Sequence, residues 1–121
     1  MMKDSHKNGI AERAKELDKL IKIEEQNSLP KEEEETLFHR IRNGDEAAIE
    51  PFIACHDLYI LRIAKQVGTA IPIEDVLEIG RKELYKLALQ ELNAKCRERY
   101  YRFFAWCVRQ RLLGEEMERI D

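Results

Sequence analysis

The stretch YYRFFAWCVRQRLL, Tyr100 to Leu113, decides the fold. At about 100° per residue, Tyr100, Phe104, Cys107, Val108, Arg111 and Leu112 recur at the i, i+4, i+7, i+8 spacing of a helix face that packs on a core. Arg111 can lie across the edge of that face on its methylene stem. Trp106, the only tryptophan in the chain, points roughly 140° away from the centre of the stripe. It shares its sector with Arg99, Arg102, Arg109, Gln110 and Leu113, and Phe103 stands at the border. A large aromatic on a basic, solvent-side face is more informative than one in a core.

Four further helical stretches are predicted. Residues Ile10 to Gln26 carry Ile10, Ala14, Leu17, Leu20 and Ile21 at amphipathic spacing. Ser28 is expected to N-cap the second helix, with Pro30 in its first turn and Glu32 to Glu35 complementing the positive end of its dipole. That helix runs through Leu37, Phe38 and Ile41 to Asn43-Gly44-Asp45. There Gly44 suits a left-handed C-terminal conformation and Asp45 suits the cap of the next helix. The third stretch, Glu46 to Gln66, contains Pro51, which predicts a kink or a late start. The fourth begins near Pro72 or Ile73 and continues to about Leu92, with Val76, Leu77, Leu84, Leu87 and Ala88 inward. Gly80 in its middle costs about 1 kcal/mol against Ala, which makes sense if another helix approaches closely. The expectation is an all-α protein, a compact bundle of about five helices without strands.

A chain of 121 residues suits one domain. Its expected parts are a helical extension over 1–28, the main helical domain over 29–114 and an acidic tail over 115–121. No window reaches the length of a membrane span and the N-terminus lacks a secretion signal, so a cytoplasmic protein is expected. Three widely spaced cysteines argue against a disulfide framework. Cys55-His56 lacks a second close pair that would make a zinc site, so no metal or cofactor is expected. No catalytic grouping or phosphate loop is legible, and nothing points to an enzyme.

The net charge is −3, yet Lys95 to Leu113 carries six cations and one acid, a net +5. The acids gather at Glu32 to Glu35 and at Glu115, Glu116, Glu118 and Asp121. One basic helix on an acidic body is an asymmetric field. Aromatics interleaved with arginines suit single-stranded DNA, because bases stack on the former and phosphates pair with the latter. The competing reading packs Trp106 against the N-terminal helix or the acidic tail. On the fourth helix, Ile79, Tyr85 and Leu89 fall off the core stripe among Asp75, Glu78 and Lys82. They either cover neighbouring loops or form a protein-docking face.

The order LFHRIRNGDEAAIEPFI, RIAKQVGTAIPIEDVLEIGRKELYKLA, YYRFFAWCVRQRLL resembles region 2 of bacterial RNA polymerase sigma factors, with the short conserved segment before it. The resemblance covers roughly Leu37 to Leu113. It rests on R-x-x-N-G-D, on P-x-E-D with a following Gly, and on W-x-V-R-Q. It implies that the fourth helix docks on a coiled coil of the largest subunit of core RNA polymerase. It also implies that the aromatic-basic helix opens the promoter −10 element, stacking on unpaired bases. The implied polymerase-binding positions are Asp75, Glu78, Ile79, Arg81 and Tyr85. The implied DNA-binding positions are Arg99, Arg102, Phe103, Trp106, Arg109 and Gln110. Trp106 matches the first tryptophan of the family's pair and Cys107 replaces the second. Glu78, Ile79 and Arg81 stand where glutamine, glutamate and asparagine are usual, and the bulky Phe104 stands where a small residue is expected.

Two functions are compatible with the sequence. One is a sigma-like initiation domain binding core polymerase and −10 DNA as a single strand, with an inhibitory protein partner compatible with it and no membrane partner. The other is a degenerate sigma-like protein-interaction or regulatory module without promoter recognition. The departures at Ile79, Arg81, Phe104 and Cys107 favour the second, as does the lack of a following helix-turn-helix for the −35 element. Residues 1–28 could in either case cover the basic helix and hold it silent.

Overall fold

The computed structural model describes the backbone of residues 2–94 and 100–120 and the side chains of residues 9–90 and 104–119. Within these residues the chain is all-helical: α1 (Met2–Asn27), α2 (Lys31–Arg42), a 3-10 turn (Glu46–Ala48), α3 (Ile49–Ala54), α4 (Asp57–Val67), α5 (Ile73–Ala94) and α6 (Tyr100–Ile120). None of the described helices is long and apolar enough to cross a membrane. The compact six-helix bundle agrees with the expected class. The acidic residues after Gly114 continue α6 as far as Ile120.

Local chemistry explains most boundaries. Gly44 takes φ +90° after α2, and Asp45 accepts from the Ala47 N–H at 3.1 Å to cap the 3-10 turn. Arg40 Nε bonds Asp45 Oδ2 at 2.8 Å, so the two ends of the Arg40-x-x-Asn43-Gly44-Asp45 motif clasp one turn. The start of α2 differs from expectation. Pro30 occupies the N-cap position without a side-chain cap, and the Ser28 hydroxyl turns back to the Glu25 carbonyl at 3.4 Å. Acidic Glu32, Glu33 and Glu34 still occupy the first turn, where the helix dipole favours them.

The third expected helix is two. The late start expected from Pro51 is present: the α-helix begins only at Ile49, after the 3-10 turn, so that Pro51 lies in its first turn where its missing N–H needs no partner. A further break, not expected, falls at Cys55 and His56. The Phe52 carbonyl is taken by the His56 ring at 2.6 Å and by the Cys55 thiol at 3.1 Å. The His56 N–H bonds Ile53 O instead, at 3.1 Å. Side chains competing for a backbone acceptor end the helix.

The core runs through every α-helix: Leu17 and Ile21 of α1, Ile41 of α2, Phe52 of α3, Ile60, Leu61 and Ala64 of α4, Val76, Leu84 and Ala88 of α5, and Phe104, Val108 and Leu112 of α6. α1 packs chiefly along α4, reinforced by ion pairs Lys65–Asp18 and Arg62–Glu25. α6 lies against both α4 and α5. The close approach expected at Gly80 is present. A Cβ there would stand 2.5, 2.6 and 2.7 Å from three side-chain atoms of Ile60.

Gly80→Ala should therefore lower stability by about 1–2 kcal/mol, since the steric cost outweighs the gain in helix propensity. Chemical denaturation of the single variant, and of Gly80→Ala combined with Ile60→Ala, checks this. The two losses should be less than additive.

Candidate nucleic-acid interface

α6 is oriented from inside. Phe104, Val108 and Leu112 are buried at successive i+4 positions, and the series continues to Glu116, 7% exposed. Its carboxylate Oε1 accepts from the N–H groups of Ala70 at 2.6 Å and Ile71 at 3.1 Å, and from the Thr69 hydroxyl. Thr69 Oγ1 in turn accepts from Ile71 N at 3.0 Å. One buried oxygen thus gathers the α4–α5 loop and ties it to α6, using charge-assisted bonds stronger than neutral ones. The sequence carried a signal for it: an acid at the next step of a core i+4 series.

With the inner face fixed, the opposite side of α6 points to solvent. Trp106 is 56% exposed, and Gln110 is exposed beside it. Arg109 is half-buried, its guanidinium donating to Gln66 Oε1 of α4 at 3.1 Å. Arg111 leans the other way, 3.5 Å from Glu83 of α5. Of the expected DNA-binding residues, Trp106, Arg109 and Gln110 therefore cluster on one outward surface. Arg99 and the side chains of Arg102 and Phe103 lie outside the described residues. Phe104 is 1% exposed and belongs to the core. At that exposure, Trp106 is not buried by the described part of α1 or of the acidic segment.

The expected polymerase-binding positions divide. Asp75, Glu78 and Ile79 line a groove of about 250 Å³ between α5 and α6, together with Arg111, Glu115 and Arg119. Asp75 Oδ2 is 2.9 Å from Arg119, and Glu78 is 3.0 Å from Lys82. Ile79 and Leu89 are half-buried and pack on the core. Arg81 faces α4, gripping both oxygens of Asp57 at 3.0 and 2.6 Å. Tyr85 is 48% exposed.

The fold also creates a grouping invisible in the sequence. His56, fully buried, has Nε2 3.2 Å from Glu34 Oε1 and Nδ1 3.4 Å from the Cys55 thiol. A cysteine, a histidine and an acid in contact suggest nucleophilic catalysis. The hydrogen bonding opposes it. The 2.6 Å contact to Phe52 O requires Nδ1 to donate, so that nitrogen cannot take the thiol proton. Burial first, and then the Glu34 charge, push the Cys55 thiol up to about 12, which keeps it neutral and unreactive near neutral pH. Rings of Phe52 and Phe104 surround His56, at 4.4 and 6.2 Å between centroids. No cluster of three or more metal-ligating side chains occurs among the described residues.

No family model, characterised protein or solved structure matches the chain at a significant level.

Two predictions follow from this geometry. Glu116→Ala leaves two N–H groups and a hydroxyl without their acceptor and should cost about 2–4 kcal/mol in denaturant unfolding; Glu116→Gln, which keeps an oxygen, should cost less. For Cys55, the folded thiol holds its proton more tightly than the unfolded one. Its stabilisation is complete below the ordinary thiol range and is lost as pH climbs toward 12. In a Cys96→Ser/Cys107→Ser background, iodoacetamide at neutral pH should label Cys55 at least about tenfold more slowly than it labels a free thiol.

Proposed function

We propose that this chain is a sigma-factor-like domain that binds the −10 promoter element as single-stranded DNA through the outward face of α6. Core RNA polymerase is its protein partner through α5. The observation that carries the reading is Trp106, 56% exposed between Arg109 and Gln110 on a helix anchored from behind. An exposed indole offers a base a stacking surface worth about 1–3 kcal/mol, and a neighbouring guanidinium can meet phosphate. No covalent chemistry is required of the protein.

A second reading is favoured by the pairing of Asp75 with Arg119 and of Arg81 with Asp57. Two expected docking side chains are thereby engaged within the chain, as suits an interaction module that no longer serves polymerase in the sigma manner. Competition between this protein and an authentic sigma factor for core polymerase separates the readings. Displacement supports the first; no binding to polymerase or oligonucleotide supports the second.

Trp106 is also a built-in reporter. Titration with a −10 single-stranded oligonucleotide should quench its fluorescence, and duplex DNA should do so less. Trp106→Ala should weaken oligonucleotide binding by about 5–100-fold without unfolding the protein. Arg109→Ala should lower the slope of log affinity against log salt by about 0.7. Unchanged affinity in Trp106→Ala contradicts the proposal.

A further inference from the structure

The outward face of α6 carries a second apolar periodicity. Trp106, Gln110, Leu113 and Met117 follow one another at steps of four, three and four, and the sequence extends the pattern to Phe103 on one side and Ile120 on the other. Alternating threes and fours are the spacing of a coiled-coil seam, a narrow stripe held in line along one side of a helix. Trp106, Leu113 and Met117 are 56%, 44% and 68% exposed, while Phe104, Val108 and Leu112 fill the core from the opposite side. Three large apolar side chains aligned over roughly 16 Å of helix form a patch rather than scattered surface residues. Single-strand binding by Trp106, Arg109 and Gln110 gives Leu113 and Met117 no task.

Charge indicates what fits. Within α6 the first half, Tyr100 to Leu113, carries Arg102, Arg109 and Arg111 and no acid, whereas Glu115, Glu116 and Glu118 face only Arg119 in the second half. Glu116 is committed to the α4–α5 loop, and Glu118 is exposed. A second α6 laid antiparallel brings the basic half of each helix to the acidic half of the other and opposes their dipoles. A parallel arrangement sets the two basic halves against each other. The antiparallel register centred on the stripe puts Trp106 opposite Met117 of the second copy, a favourable indole–thioether contact, and Gln110 opposite Leu113.

We infer that this stripe is a self-association surface, on which α6 pairs antiparallel with α6 of a second copy and covers Trp106. The pairing does not depend on the DNA reading. Its consequence, that dimer and oligonucleotide compete for Trp106, does rest on that reading.

Sedimentation of the wild-type chain from about 5 μM to about 1 mM should show a reversible dimer. Trp106 emission should shift to the blue as it forms, and added salt should weaken it. Leu113→Gln/Met117→Gln should raise the dissociation constant by about tenfold or more. Both positions are exposed, so circular dichroism, and thermal melting at concentrations where the wild type is monomeric, should be unchanged. A wild-type chain that stays monomeric throughout, or a double variant that pairs equally well, overturns the inference. Oligonucleotide binding is scored separately with the monomeric double variant. Dimerisation without oligonucleotide binding by that variant supports self-association and sinks only the DNA reading.

Discussion

The Glu116 carboxylate is the interaction on which the orientation of α6 depends. It is buried, and it collects two backbone N–H groups and a hydroxyl from the short segment between α4 and α5. That segment closes the α4–α5 hairpin, whose own spacing is set by the contact of Gly80 with Ile60. α6 is therefore keyed to the hairpin by apolar contacts along three turns and by one polar contact at the loop. A rotation of α6 that carried Trp106 inward would also withdraw Glu116 from its donors. Such a loss costs more than an ordinary hydrogen bond, because the groups left behind are buried.

The same keying sorts the cations of α6. Arg111 and Arg119 lean toward the acids of α5, at Glu83 and Asp75. Arg109 lies on the Trp106 side and bonds a neutral amide of α4. The +5 segment is thus not a uniform patch. Part of its charge is spent in the groove with α5, and the part beside Trp106 meets no carboxylate in that hydrogen bond. A guanidinium held by an amide keeps its full charge for a phosphate. This distribution favours the outward face of α6, rather than the salt-bridged groove, as the place where a polyanion would bind.

Much of the fold was legible because it follows from periodicity and local chemistry. The i, i+4 series placed Phe104, Val108 and Leu112 inward and Trp106 outward. Gly44, Asp45 and Gly80 announced a turn, a cap and a close crossing. What escaped reading depends on contacts distant in sequence or on competition for a single atom. The break at Cys55–His56 arises because two side chains capture the Phe52 carbonyl, which no propensity encodes. The grouping of Glu34 with His56 requires α2 to fold across the α3–α4 corner. The pairings of Asp75 with Arg119 and of Arg81 with Asp57 were not legible either, because the partners are 44 and 24 residues away. The outward position of Trp106 was legible, but what an exposed indole binds is a matter of chemistry at the surface, not of folding.

Binding at Trp106 is best followed in a 1H–15N spectrum of the chain with a −10 single-stranded oligonucleotide added in steps. The Trp106 indole resonance should move first, together with the side-chain and backbone signals of Arg109 and Gln110, while the α5–α6 groove at Asp75 and Glu115 stays still. Shifts confined to that groove, or no shift at Trp106 at saturating oligonucleotide, would contradict binding on the outward face of α6.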